Sequence, residues 1–295
     1  MSFPARVGLV GYGNMGRPMC INLIKAGFAV RALDVDASRV ALMREDGVTP
    51  CQSSADLAGC DVVITMVWDD EILRQAVLGP SGLLPHLAAD CLLIDMSTVT
   101  PDVSQEVAEA ARSRLIAYLR APVSGSAAVA QRAELVIYAS GDRTDYDRCA
   151  SLFAAISAKQ LYVGTGEESR LLKLIINLLV LGSTALLGEA LSFALRAGVD
   201  KNLCIDAINA SIVGSPHYQA RADLFKHEDL RSTGRWFGLK DIDMGMNQAA
   251  KVGAALPLMS LVHDQMRMTA NRWPNANTLV GLTMLMRTIN PPTAV

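Results

Sequence analysis

The stretch Arg6-Val7-Gly8-Leu9-Val10-Gly11-Tyr12-Gly13-Asn14-Met15-Gly16 (RVGLVGYGNMG) stands almost at the start of the chain, and its reading decides the fold. A short apolar strand, RVGLVG, runs into a Gly-x-Gly-x-x-Gly loop, and NMGRPMCINLIKAG continues as a helix that ends at Gly27. The glycine spacing alone is a weak signal, but between a strand and a helix it acquires a mechanism. Gly11 permits a tight turn, and Gly13 lets the backbone approach a pyrophosphate. Gly16 lets the helix pack closely on the strand, and the helix N-terminus faces the phosphates. Tyr12, Asn14 and Met15 complete the loop and join the glycines as candidate cofactor contacts. A glycine-rich turn without a ligand is the alternative, and the strand-loop-helix context disfavours it.

The next strand, FAVRALDVD, brings Asp34 to its end, 18 residues beyond Gly16. A carboxylate there can accept hydrogen bonds from a ribose diol and would repel a 2′-phosphate, which favours NAD over NADP. Val35 and Asp36 supply no arginine for a phosphate, although Arg39 is near enough to keep NADP open. The alternation continues with a helix at SRVALMREDG, a strand at DVVITMVW and another at CLLIDMS. Met66 and Val67, near the end of the third strand, are further candidate cofactor contacts. Thr100-Pro101-Asp102 reads as an N-cap, a Pro at the first helical position and an acid near the positive helix end, opening a helix to about Arg112. Strand-like stretches follow around Leu119 to Val123, Glu134 to Ala139 and Gln160 to Val163. Strands alternating with helices imply a parallel sheet with right-handed crossovers.

After Gly166 the pattern is helical: Ser169 to Ala197, Lys201 to Asn209, Lys240 to Val252 and Leu258 to Asn271. The expected organisation is an α/β dinucleotide-binding domain of the Rossmann type over residues 1–163. An all-α domain over residues 164–295, joined through a long helix, follows it. The tail NPPTAV is expected to fray.

Composition narrows the classes. Net charge is −2 and the pI about 6.1, with no block of like charges, so no nucleic-acid footprint is expected. The N-terminus MSFPARVGLV lacks the pattern of a signal peptide, and the apolar run from Leu174 to Leu187 is shorter than the roughly 20 residues a bilayer requires. No membrane partner is expected. Six cysteines without a CxxC pair fit free thiols in a reducing cytoplasm, and four isolated histidines offer no metal site.

Four ordered stretches resemble the β-hydroxyacid dehydrogenase family, which includes 3-hydroxyisobutyrate dehydrogenases and tartronate semialdehyde reductases. They are VGLVGYGNMGRPMCINLIKAG, Asp95-Met96-Ser97-Thr98 followed by Thr100-Pro101 with Ala121-Pro122-Val123-Ser124-Gly125 further on, the run from Gly164 to Val180 with its lysine and asparagine, and Phe237-Gly238-Leu239-Lys240-Asp241-Ile242-Asp243. The resemblance implies an active site between the domains, and subunits paired through the helical domains as a homodimer or homotetramer. It also implies Thr98 and Lys240 as cofactor contacts and Lys173 as the catalytic residue. Ser124, Gly125 and Ser126 would hold the carboxylate of a small 3-hydroxy acid or its semialdehyde. The sequence departs from the family at Arg120, where an aspartate is usual, at Ser126, where a glycine is usual, and at Ala133-Glu134. These changes put the substrate's identity in question.

The family's lysine follows the second glycine by about four residues, which lands on Arg170 rather than Lys173. Either Arg170 has replaced the lysine, or the turn is longer and Lys173 is the match. Three arguments favour Lys173. Asn177 shares its helix face one turn on, and Glu189 keeps the family's distance from it. Arginine keeps its proton and cannot act as a general base, whereas a desolvated lysine can. Arg170 reads instead as a charged residue of the first helical turn, near Glu167. The proposed pair is Lys173 exchanging a proton with the reacting oxygen and Asn177 holding the substrate or the lysine. Two rival functions are an imine reductase, which usually lacks the lysine, and a dinucleotide-bound interaction protein without catalysis.

Overall fold

The computed structural model describes residues 5–228, 237–274 and 277–290. The tail expected to fray lies, beyond Asn290, outside the described residues. The chain forms two compact units, Met1–Lys173 and Leu174–Val295, which divide inside one long helix.

The first unit is built on a nine-stranded sheet. Its strands are β1 (Arg6–Val10), β2 (Ala29–Leu33), β3 (Thr49–Pro50), β4 (Val62–Thr65), β5 (Leu92–Asp95), β6 (Ala117–Arg120), β7 (Val123–Ser124), β8 (Leu135–Ser140) and β9 (Ser157–Gly164). Between them run α1 (Gly16–Lys25), α2 (Arg39–Glu45), α3 (Asp70–Leu78), α4 (Pro101–Ser113), α5 (Ala127–Gln131), α6 (Arg143–Arg148) and α7 (Ala150–Ile156). The strand order is β3-β2-β1-β4-β5-β6-β8-β7, with β9 beside β8. The run from β3 to β6 is wholly parallel, while β8 is antiparallel to β6 and β7. The order reverses between β1 and β4, and such a switch point opens a crevice at the carboxyl ends of the strands.

Both faces of the sheet are covered, which explains why its strands read as continuous apolar runs rather than alternating ones. Val62, Ile64, Leu92 and Ile94 pack with Met19 and Leu23 of α1 and Phe153 of α7. Their neighbours Val63 and Leu93 point the other way, toward Leu73 and Val77 of α3 and Val103 and Val107 of α4.

The structure refines several expected elements. The strand expected over 119–123 is two strands, because Pro122 cannot donate to a ladder and breaks the run. Thr100 stands at the N-cap of α4 without bonding its turn. Its hydroxyl donates to Asp70 Oδ2 at 2.6 Å and its N–H to Asp70 Oδ1 at 2.9 Å. Helices α3 and α5 to α7 are additions to the sequence reading.

The second unit holds, among the described residues, only helices. Helix α8 (Glu168–Arg196) enters it from the first unit, and α9 (Lys201–Ala210), α10 (Pro216–Gln219), α11 (Ala222–His227), α12 (Phe237–Lys251), α13 (Pro257–Arg272) and α14 (Thr278–Ile289) follow. Its core joins Leu181 and Leu191 of α8 to Ile205, Phe225, Ile242, Met266, Leu279 and Leu282. Helix α14, unforeseen in the sequence, is apolar nearly all round, as a helix buried in a core must be. Helix α8 is long and apolar enough to cross a membrane by length and composition alone. One side of it enters this core. On the other, Ile175, Leu179, Leu186 and Phe193 are exposed, with Phe193 at 76%.

Candidate active site

The glycine loop occupies the switch point. Gly11 follows β1 with φ of 104°, and a Cβ there would sit 2.2 Å from the Met66 carbonyl oxygen at the end of β4. A Cβ on Gly16 would sit 1.9 Å from the Gly11 carbonyl oxygen, so only glycine lets α1 start this close to the turn. At Gly13 the same test meets no atom within 4 Å. Two glycines are therefore required by the fold, and the third borders open space at a helix N-terminus. That cradle fits a pyrophosphate.

Asp34 at the end of β2 shapes this loop. Its Oδ2 accepts from the Tyr12 N–H at 2.6 Å and its Oδ1 from the Asp36 N–H at 2.9 Å. The Tyr12 side chain is buried in the opposite direction, and its hydroxyl donates to Asp46 Oδ2 at 2.7 Å. Burial and that bond raise the phenol pKa. Only the backbone of Tyr12 therefore lies in the loop. Asn14 is exposed and Met15 half-buried at the start of α1. Arg39 pairs with Asp36 at 3.3 Å. Met66 and Val67 are half-buried; the Met66 N–H donates to Val10 O at 2.8 Å and the Val67 N–H to Ser97 Oγ at 2.9 Å. Thr98, half-buried, is the next residue of that loop.

Below this loop lies a buried ionic cluster that the sequence reading missed. Arg170, in the first turn of α8, is completely buried. Its Nη2 donates to Asp95 Oδ2 at 2.5 Å and to the Tyr118 hydroxyl at 3.0 Å. Nη1 donates to Ser97 O at 2.9 Å and Nε to Ser104 Oγ at 3.2 Å. The second oxygen of Asp95 accepts from Thr65 Oγ1 at 2.6 Å and Ser97 Oγ at 2.7 Å. Burial opposes the charge of Arg170, but Asp95 and Tyr118 outweigh it and raise the guanidinium pKa. Arg170 does stand in the first helical turn near Glu167, as the sequence suggested, but its ion pair is with Asp95. The Glu167 carboxylate pairs with Arg120, whose Nε donates to Glu167 Oε1 at 2.6 Å. The sequence signal for both pairs was a charge standing within an apolar run, and a linear reading gives such a charge no partner.

The Ser124-Gly125-Ser126 turn links β7 to α5. Gly125 has φ of 145°, and a Cβ there would collide with Leu135 and Val129. Ser124 is half-buried, while Gly125 and Ser126 are exposed. Ser126 caps α5, its Oγ accepting from the Val129 N–H at 3.4 Å. The Arg120 guanidinium, at the end of β6, lies 4.9 Å from the centre of the Tyr118 ring.

Lys173, half-buried, follows Arg170 by one helical turn. Asn177, four residues further along α8, donates from Nδ2 to Asp241 Oδ2 at 2.7 Å. Lys240 Nζ lies 3.3 Å from Asp241 Oδ1. The third and fourth conspicuous stretches of the sequence thus meet at one buried carboxylate, which is 4% exposed.

Residues 6–164 match the NAD-binding domain of 6-phosphogluconate dehydrogenase, and residues 166–280 match the NAD-binding domain of NADP-dependent 3-hydroxyisobutyrate dehydrogenase. The chain is 33% identical to a probable mitochondrial 3-hydroxyisobutyrate dehydrogenase-like protein of Arabidopsis thaliana, over 88% of this chain and 78% of that one. It is 28% identical to 2-(hydroxymethyl)glutarate dehydrogenase of Eubacterium barkeri, over 86% and 84%. A crystal structure of 3-hydroxyisobutyrate dehydrogenase from Salmonella typhimurium superposes with a TM-score of 0.86 at 22% identity, covering 95% of this chain and all of that one, which shows the shared fold. The chain belongs to the β-hydroxyacid dehydrogenase family and is an NAD(P)-dependent hydroxyacid dehydrogenase.

Proposed function

We propose that the protein interconverts a small 3-hydroxy acid and its semialdehyde or keto acid, with Lys173 as the acid/base. The observation that carries this reading is the burial of Arg170. A guanidinium enclosed by Asp95, Ser97, Ser104 and Tyr118 can neither reach a substrate nor release its proton. Lys173 is then the basic residue at this helix start suited to proton transfer.

The Gly11–Gly16 loop, with Met66, Val67, Thr98 and Lys240, would hold the dinucleotide, and Asp34 would favour NAD. The nicotinamide, when bound, supplies or accepts the hydride. Lys173 gives a proton to the carbonyl oxygen in reduction and takes it from the hydroxyl in oxidation. Ser124 offers a hydroxyl, and Gly125 and Ser126 offer N–H groups, to the substrate carboxylate. With its Nδ2 committed to Asp241, the Asn177 amide has a set direction, which suits its oxygen to orient the lysine or the substrate hydroxyl.

We further infer a homodimer or homotetramer formed through the second unit. The stripe of Ile175, Leu179, Leu186 and Phe193 leaves four large apolar side chains exposed on one face of α8, which suits a surface covered by a second copy. The six free cysteines suit a reducing compartment, the cytoplasm.

A spectrophotometric screen tests the reading. Purified protein is offered NAD or NADP with 3-hydroxyisobutyrate, D-glycerate, 4-hydroxybutyrate and L-serine. Turnover of at least one, lost in Lys173→Ala, is the expected result. Undiminished turnover in Lys173→Ala would sink the lysine's role, and activity confined to cyclic imines would move the protein to amine chemistry.

A further inference from the structure

The geometry points to a division of labour between two basic residues in successive turns of α8: we propose that Arg170, in the first, is the positioning residue for Lys173, in the second. In this role it holds the first turn and the Ser97-Thr98 loop in one rigid frame. The proposal rests on Lys173 as the acid/base.

Arg170 binds four separate places at once. They are the end of β5 through Asp95, the loop after it through Ser97 O, helix α4 through Ser104, and β6 through Tyr118. Asp95 extends the frame to the end of β4 through Thr65, and its partner Ser97 also accepts from the Val67 N–H. The same cluster therefore grips the Met66-Val67 and Ser97-Thr98 loops and the helix turn that leads to the lysine. Ser169, the neighbour of Arg170, adds a second anchor. Its hydroxyl lies 2.7 Å from Ser140 Oγ, which also donates to Gly166 O at 2.7 Å.

Stability alone does not account for such a cluster. Desolvating two charges costs about as much as their attraction returns, and well-packed apolar residues often replace a buried pair without loss. What the pair supplies is direction. A guanidinium offers five donors in a fixed planar fork, so four acceptors in known directions define the position and rotation of the helix end. Lys173 lies one turn on, about 60° round the helix from Arg170. Any rotation of the first turn would carry the amine away from the reacting oxygen.

The test uses the intact protein with NAD and the best of the four hydroxy acids above. Three variants are compared with wild type: Arg170→Lys, the double substitution Asp95→Asn/Arg170→Gln, and Lys173→Ala. The double substitution removes both buried charges together and so avoids stranding one of them. Arg170→Lys keeps the charge beside Asp95 but loses the fork, and it serves where the double variant does not fold. In folded protein well below its melting temperature, kcat should fall at least about thirtyfold, while KM for the hydroxy acid changes less than about threefold. The deuterium isotope effect on hydride transfer should rise, and adding Lys173→Ala should lower kcat little further. A folded Arg170 variant with kcat within about threefold of wild type would overturn the proposal and leave Arg170 a structural residue. Loss of activity in Lys173→Ala beside full activity in the Arg170 variants sinks this inference alone. Full activity in Lys173→Ala sinks the acid/base reading, and this inference with it.

Discussion

The N–H of Tyr12 donates to the Asp34 carboxylate at 2.6 Å, so the residue proposed to select the adenosine ribose also braces the glycine loop. Asp34→Ala should therefore do two things at once. It should raise KM for NAD by about tenfold or more, as expected for loss of a charged hydrogen-bond acceptor. It should also shift the NAD to NADP preference toward NADP, because the repulsion of a 2′-phosphate is gone. Steady-state kinetics with both cofactors measure the two effects. An unchanged cofactor ratio would mean that Asp34 serves the loop only.

Gly13 and Gly16 should part company on substitution. Gly13→Ala adds a methyl where no protein atom lies within 4 Å. Its melting temperature should stay within about 2 °C of wild type. Affinity for NAD should nevertheless drop about tenfold or more, because the methyl occupies the space the pyrophosphate needs. Gly16→Ala drives a methyl into the Gly11 carbonyl and should cost about 3 kcal/mol, the upper end for overpacking. Thermal denaturation and a dinucleotide titration of each variant separate the two roles.

The second unit carries an acid-sensitive contact. His217 Nδ1 lies 3.0 Å from Arg221 Nη1, and its Nε2 lies 3.0 Å from Thr184 Oγ1. A guanidinium can only donate, so Nδ1 must accept and the ring must be neutral, with its proton on Nε2. Burial, with Arg221 adding to it, pushes the His217 pKa down to about 4. The unfolded chain takes up this proton near pH 6.5 and the folded protein does not. Stability is therefore complete above about pH 6.5 and declines as the pH falls toward 4. His217→Gln should lose a few degrees of melting temperature at pH 7.5 but fall less steeply between pH 6.5 and 4.5. Equal pH slopes in the two proteins would contradict this.

Helix α8 offers a direct test of assembly. Leu179 is 68% exposed and Phe193 76%. Leu179→Glu and Phe193→Glu each place a charge on the stripe assigned to a second subunit. Either should weaken association by at least about tenfold while leaving helical content unchanged. Light scattering over a concentration series, with circular dichroism alongside, reads both. A wild-type protein that is monomeric at every concentration would remove the assignment.

Much of the candidate site was legible in the sequence. The Gly11–Gly16 loop and Asp34 are local signals: a turn, a helix start and a strand end, each a few residues long. The lysine question was posed by spacing but could not be closed by it. A linear chain shows that Arg170 and Lys173 are three residues apart, and does not show which one the fold encloses. Glu167, three residues back in the chain, was read as lying near Arg170. In the fold Glu167 turns to Arg120, while Arg170 reaches Asp95, 75 residues away. Tyr12 likewise reads as a loop residue, yet its ring belongs to the core.

By itself, then, the sequence determined the alternation that makes a parallel sheet, the position of its glycine turn and the change to helices after Gly166. These follow from periodicity and from the restricted backbone of glycine and proline, which act over one or two turns of chain. Only the tertiary structure decided which charges are partners and which are enclosed. Ion pairing and desolvation depend on distances through space, and strands and helices remote in sequence set those distances when they pack.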